Sequence, residues 1–428
     1  MSILTCWLRG PRGWLRGRLW SAHLALAALI LLGACQPGPS APRAATPTHA
    51  LAPRLGPTST SRPSATQDSS APTRTPTFVP VPTPSAADWQ TGPADAQVTL
   101  VAYMDFQCTP CLRTALAINA VMARHPGQVR LIVRPYALEK IEDKALLSAV
   151  SVLAAGRQGD FWGMYNLLFD RADEWRALAP GDFMNWVSNA AASLGMDVTA
   201  FNTAMNDPSL KTDVESETKR AQASGVPGAP FVLLNGRPFL LVGDQTQLEA
   251  AVRLTVLETR QFRSYPALHL QANKSYVATL DTNLGPITIQ LFPDTAPLAV
   301  NSFIFLANQG WYDGSGAYLV NPGSYIEAGD PTDSGLGESG YHFPVETSPV
   351  RQFDRAGMVG AVSSGPDANS PRFFFALAPM PQLDSSRTIF GQVVSGLDIL
   401  QSLKAREPLQ DLLTPPELII RRIVVETR

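Results

Sequence analysis

From Gln36 to about Ala87 the chain is written almost wholly in Pro, Ser, Thr and Ala, as in Pro57-Thr58-Ser59-Thr60-Ser61-Arg62-Pro63. Such a stretch buries too little apolar surface to offset the entropy of ordering it, so disorder is expected. As a flexible coil of about fifty residues it spans roughly 40 Å, and its prolines extend it further. The folded structure must then lie in the roughly 340 residues that follow, more than one ordinary domain holds. The whole chain carries 37 prolines, to which this stretch contributes heavily, and a charged fraction of only 16% in 428 residues, against about 25% in average soluble proteins. Hydrophobic residues at 45% still suffice for burial, and a net charge of −2 offers no footprint for nucleic acid.

Ahead of this tether, Arg9, Arg12, Arg16 and Arg18 stand with no acid among them and lead into the apolar run Leu24 to Leu32. A basic flank followed by roughly a dozen apolar or small residues is an export signal; about twenty would be needed to span a bilayer. The run ends Leu32-Gly33-Ala34-Cys35, which resembles the lipobox of bacterial lipoproteins. The resemblance implies a signal peptide over 1–34, lipidation of Cys35 and a disordered linker over 35–88. It also implies a lipid anchor on the extracytoplasmic side of a membrane, at the cell surface or facing a periplasm. Of the four cysteines, Cys6 departs with the signal and Cys35 carries lipid, which leaves Cys108 and Cys111 as thiols in an oxidising compartment.

Val98 to Tyr103 reads as a short apolar strand, and Cys108-Thr109-Pro110-Cys111 follows it at the start of a helical pattern over Leu112 to Arg124. A second strand over Val129 to Val133 precedes a helical stretch from about Ile141 to Gln222. Gly225-Val226-Pro227-Gly228-Ala229-Pro230 then feeds a strand, a hairpin at Asn235-Gly236 and a helix near Gln247 to Thr259. A Cys at the first turn of a helix has its thiolate stabilised by unpaired backbone N–H groups, and a second Cys three residues on can resolve a mixed disulfide. Half a zinc site is the other use of such a pair, and no second Cys pair exists to complete it.

This order resembles the DsbA-like branch of the thioredoxin superfamily over about 89–262, an α/β thioredoxin-like fold with a helical insertion. The Asp105-Phe106-Gln107-Cys108 approach fits bacterial members of that branch. The resemblance implies that Cys108 is the exposed nucleophile, Cys111 the resolving thiol and Pro230 a cis proline facing them, with the Ala229 backbone pairing with a substrate peptide. Two positions depart from the pattern. Ala102 stands where a buried acid is usual, and Thr109-Pro110 lacks the His that makes strong oxidants. The disulfide is thus expected to be a weaker oxidant, with the direction of electron flow open.

After a short connector, Ser275 to Thr282 and Ile287 to Leu291 read as two strands joined by a tight turn, and Pro297 opens a helix. Leu291-Phe292-Pro293-Asp294-Thr295-Ala296-Pro297, Tyr312-Asp313-Gly314, Gly329-Asp330-Pro331, Phe373-Phe374 and Phe390-Gly391 together resemble a cyclophilin-type peptidyl-prolyl isomerase over 275–428. That family implies an eight-stranded, closed antiparallel β-barrel with two helices. It also implies a proline pocket, here built from Tyr325, Glu327, Arg372, Phe374 and Leu383. Leu319 occupies the position of the family's catalytic Arg, Gln382 replaces a Trp, and Arg387 stands where His is usual. Arg372, in place of a Gln, is expected to point into the pocket. Proline binding with weak or lost isomerisation follows from these departures.

The reading as a whole is a membrane-tethered extracytoplasmic folding factor, a thiol–disulfide oxidoreductase joined to a cyclophilin-type domain. Its expected partners are exported unfolded or cysteine-containing proteins, a redox partner protein and, through the lipid, a membrane; nucleic acid is not among them. No cofactor or metal is expected, and Trp162, Tyr165 and Trp175 read as core or groove lining. The alternative is a non-catalytic lipoprotein chaperone that binds unfolded or Pro-containing segments.

Overall fold

The computed structural model describes residues 83–428. The expected signal peptide over 1–34, the expected lipidation at Cys35 and the expected linker up to residue 82 lie outside the described residues. Immediately before the first strand, Asp88 pairs with Arg134 at 2.7 Å, and both side chains are largely buried. Among the described residues no helix is long and apolar enough to cross a membrane.

The first part opens with β1 (Trp89–Thr91), β2 (Val98–Met104), α1 (Thr109–Arg124) and β3 (Val129–Pro135). Helices α2 (Ala145–Gly156), α3 (Phe161–Asp170), α4 (Ala172–Trp175), α5 (Pro180–Ser193), α6 (Val198–Met205) and α7 (Pro208–Ala223) form the insertion. β4 (Phe231–Leu234), β5 (Arg237–Phe239) and α8 (Gln245–Glu258) follow. The sheet runs β1-β3-β2-β4-β5, with β2 parallel to β3 and antiparallel to β4. Covered on both faces, β2 is apolar along most of its length instead of alternating. Asn235 and Gly236 both adopt positive φ, 46° and 78°, which makes the tight hairpin between β4 and β5. In the insertion Tyr165 and Trp175 are fully buried, and the Trp175 indole donates to the Leu168 carbonyl at 2.8 Å. Trp162 packs half-buried against the same core.

Helix α8 serves two cores. Leu248 and Val252 pack in the first, whereas Leu257, near its end, packs in the second. Between them Arg253 donates to Glu249 at 2.7 Å and to the Thr332 carbonyl at 2.9 Å. The segment after α8 also packs: the Phe262 amide donates to the Ser339 carbonyl at 2.7 Å, and the Tyr265 hydroxyl to the Leu298 carbonyl at 2.7 Å.

The second part comprises β6 (Tyr276–Thr282), β7 (Gly285–Leu291), α9 (Pro297–Asn308), β8 (Ala317–Asn321), β9 (Tyr325–Ala328), β10 (Phe343–Pro344), β11 (Met358–Gly365), β12 (Ala368–Ala376), β13 (Ile389–Ser395), α10 (Leu397–Gln401) and β14 (Ile420–Thr427). The sheet path is β14-β6-β7-β13-β11-β12-β9-β8, with β10 a short branch on β12. Phe303, Tyr312, Phe373 and Phe390 fill its concave side.

The expected fully closed, eight-stranded barrel is instead a curled nine-stranded sheet whose edge strands meet along a short seam. There the Ile420 amide donates to Ser315 at 2.8 Å and the Ala317 amide to Leu418 at 3.1 Å. The seam stops because the next part of the β8 edge is already occupied: Val320 and Arg406 exchange two backbone bonds of 3.0 Å. Only glycine fits at residue 316, since a Cβ there would lie 2.4 Å from the Pro416 ring.

Candidate functional site

There are two candidate sites among the described residues, one in each part. In the first, β2 delivers the chain to the start of α1, where Cys108 is the N-cap residue and Pro110 lies in the first turn, the place where its missing N–H leaves no gap. Cys108 and Cys111 are joined as a disulfide, and the Cys111 amide points at the Cys108 sulfur from 3.1 Å. Ala229–Pro230 is a cis peptide bond. It faces the pair, with the Ala229 carbonyl oxygen 4.0 Å from the Cys108 sulfur.

Cys108 is less open than expected. It is 3% exposed and Cys111 0%, because the Cys108 side chain packs into the same apolar cluster as Phe106 and Ala115, with Ala229 against it.

Two charged residues at this corner escaped the sequence reading as functional groups. Asp105, 1% exposed, accepts from the amides of Gln107 at 2.8 Å, Cys108 at 3.3 Å and Leu138 at 2.8 Å. Burial lifts its carboxyl to about 6, against backbone donors that favour the charged form. Ala102, at the position where an acid is usual, is fully buried in β2. Arg176 reaches back from the end of α4, donating to the Gln107 carbonyl at 2.6 Å and to the Thr109 hydroxyl. Asp105 sits in the quoted approach to Cys108 and had a local signal; Arg176, far along the chain, had none.

In the second part a cavity of about 310 Å³ opens beside β9 and β12, lined by Tyr325, Glu327, Val362, Ser363, Phe374, Met380, Leu383 and Arg387. Phe374 forms its floor, stacked on Phe353 at 5.4 Å and met edge-on by Tyr325 at 6.5 Å. Glu327 accepts from the buried Tyr318 hydroxyl at 2.7 Å, which fixes one wall.

Residues 277–425 match the family model of the cyclophilin type peptidyl-prolyl cis-trans isomerase, and residues 85–253 match a thioredoxin model. Peptidyl-prolyl cis-trans isomerase ppi1 of Schizosaccharomyces pombe is 40% identical over 127 residues, 29% of this chain and 82% of its own. Peptidyl-prolyl cis-trans isomerase-like 1 of Aspergillus fumigatus is 35% identical over 150 residues, 34% of this chain and 93% of its own. The chain belongs to the cyclophilin-type peptidyl-prolyl cis-trans isomerase family. A crystal structure of a Cryptosporidium parvum cyclophilin type isomerase aligns with 36% of this chain and 99% of its own, at 30% identity and a TM-score of 0.33.

Within the cyclophilin-type domain, Tyr325, Glu327, Phe374 and Leu383 come together around the cavity. Arg372 does not. Its guanidinium donates to Glu338 at 2.7 Å, to Ser370 at 3.0 Å and to the Gly335 carbonyl, and it does not line the cavity. The cause is local competition: a carboxylate, a hydroxyl and a carbonyl lie within reach, so the charged fork finds fixed partners there. The cation that lines the cavity is Arg387, held by a 3.0 Å bond to the Ser386 carbonyl. Leu319, cross-strand from Glu327 in the β8–β9 pair, is not part of the lining.

Proposed function

We propose that the chain is a membrane-tethered extracytoplasmic folding factor that exchanges disulfides at Cys108 and Cys111 and holds proline-containing segments in its cyclophilin-type pocket. The thioredoxin-like and cyclophilin-type domains together support a role in protein folding. The observation that carries the redox half is the placing of Cys108 at the start of α1, with the Ala229 carbonyl 4.0 Å from its sulfur.

A substrate thiolate attacks the Cys108 sulfur, and Cys111 leaves as a thiolate. A second substrate thiolate then attacks the substrate sulfur of the mixed disulfide, and Cys108 leaves in turn. Two substrate thiols become one disulfide, the two protons they lose pass to the Cys111 and Cys108 thiolates, and the Cys pair ends reduced. Run backwards, the same steps reduce a substrate disulfide; the direction follows from the relative stability of the two disulfides.

In the cyclophilin-type domain Phe374 and Leu383 supply apolar contact for a proline ring. No Arg stands at position 319 to donate to the prolyl nitrogen, so binding outlasts turnover. The anchor rests on the basic flank, the apolar run and Cys35, and it places the chain at the cell surface or on the periplasmic side of a membrane. Its partners are exported cysteine-containing or unfolded proteins and a redox protein that resets the pair.

The test is the full chain mixed with a reduced, cysteine-containing model protein and with a glutathione buffer, beside Cys108→Ser. Wild type should exchange and the variant should not. Equal behaviour of the two would leave the non-catalytic chaperone, a reading that the 3% exposure of Cys108 favours.

A further inference from the structure

The corner around Cys108 holds an arrangement that neither thioredoxin-like pairing nor the disulfide itself requires. Arg176 comes from the helical insertion, yet its guanidinium ends on the residues either side of Cys108: the Gln107 carbonyl at 2.6 Å and the Thr109 hydroxyl. Both partners are neutral, so among the described residues no hydrogen-bonded anion compensates its charge. Asp105 also meets this backbone, its carboxylate 3.3 Å from the Cys108 amide and almost fully buried. Of the nearby charged groups, Asp143 bonds to Lys144 at 2.6 Å and to the Gln107 side chain at 2.8 Å, while the Glu142 carboxylate acts on Asp105 with like charge.

We propose that Arg176 is the counter-charge of the Cys108 thiolate, supplying from the insertion the positive charge that Thr109-Pro110 does not supply from within the motif. The inference rests on the thiol–disulfide reading above. When exchange expels Cys108 as a thiolate, its negative charge appears on the residue that is flanked by the two partners of the guanidinium, Gln107 and Thr109, and whose amide donates to the Asp105 carboxylate. The guanidinium favours that charge and the carboxylate opposes it. Stabilising the thiolate stabilises the reduced pair, so Arg176 makes the disulfide more oxidising and Asp105 makes it less so. The insertion thereby tunes the redox pair without touching the Cys-x-x-Cys sequence.

The test uses the reduced full chain, pulsed with iodoacetamide across the pH range and mapped by peptide mass at Cys108. Arg176→Met should raise the alkylation midpoint by about one pH unit, and Arg176→Lys should keep it within about half a unit of wild type. Asp105→Asn should lower the midpoint. The equilibrium constant for reduction by glutathione should fall about tenfold in Arg176→Met. Arg176→Gln, which retains donors for Gln107 and Thr109 without the charge, separates charge from packing, and it should behave like Met. An unmoved midpoint in both Arg176→Met and Arg176→Gln would overturn the role of Arg176. A wild-type pair that never exchanges with glutathione would instead overturn the oxidoreductase reading, and the alkylation titration would still report on Arg176.

Discussion

Arg372 and Glu338 form a 2.7 Å ion pair that commits the Arg372 guanidinium to the flank of β12 instead of the neighbouring cavity. Arg372→Ala would leave the half-buried Glu338 without its ion-pair partner, with the Ser370 and Ser364 hydroxyls still donating to it. It should therefore lower stability by about 1–3 kcal/mol in urea unfolding, with the affinity for a proline-containing peptide unchanged. Loss of peptide affinity at wild-type stability would return Arg372 to the pocket.

The pocket's own cation is Arg387, and its missing donor is at Leu319. Arg387→Ala should weaken binding of a proline peptide, read by calorimetry. Leu319→Arg should raise kcat/KM in a protease-coupled proline assay on the order of ten- to a hundredfold, since a charged donor aimed at the transition state is worth about 3 kcal/mol. Wild-type turnover already equal to that of an ordinary cyclophilin would show that Leu319 is no handicap.

Phe262 packs edge-on against Phe305 at 4.9 Å and near Trp311 at 6.1 Å, outside the segment that resembles a cyclophilin. Phe262→Ala should cost about 2–4 kcal/mol in the full chain. A fragment beginning at residue 275 lacks Leu257, Phe262 and Tyr265 together and should melt well below the corresponding transition of the full chain. Equal melting temperatures would show that these contacts add nothing.

Asp105 gives stability a pH dependence with a definite sign. Burial raises its carboxyl from an ordinary 3.8 to about 6, so the folded state favours the protonated form. The contribution is fully present below 3.8 and is lost as pH rises through about 6. A shift of about two units corresponds to about 3 kcal/mol. Asp105→Asn, neutral throughout, should gain on wild type by up to that amount between about pH 4 and about pH 7. Urea unfolding at both values measures it, and a constant difference between the two proteins would contradict the shift.

What the sequence determined by itself is local and periodic. The spacing of Cys108 and Cys111 places them in one helical turn, the apolar run of β2 marks a strand covered on both faces, and Asn235-Gly236 writes its own hairpin. The residues that surround the cavity, Tyr325, Glu327, Phe374 and Leu383, were legible because the segments carrying them follow a family pattern. The tertiary structure decided the rest, and the reason is the same in each case. A guanidinium at the end of a long, flexible stem goes where distant partners are: Arg372 to Glu338 across 34 residues of chain, and Arg176 to Gln107 and Thr109 across 69 and 67. The burial that raises the Asp105 carboxyl comes from the packing around it, with Leu138 as one partner. The sharing of α8 between two cores depends on which faces meet after folding, and so does the short seam where β8 and β14 touch. Neighbours in sequence set the strands and helices; partners distant in sequence set the charges around the cysteines and the cavity.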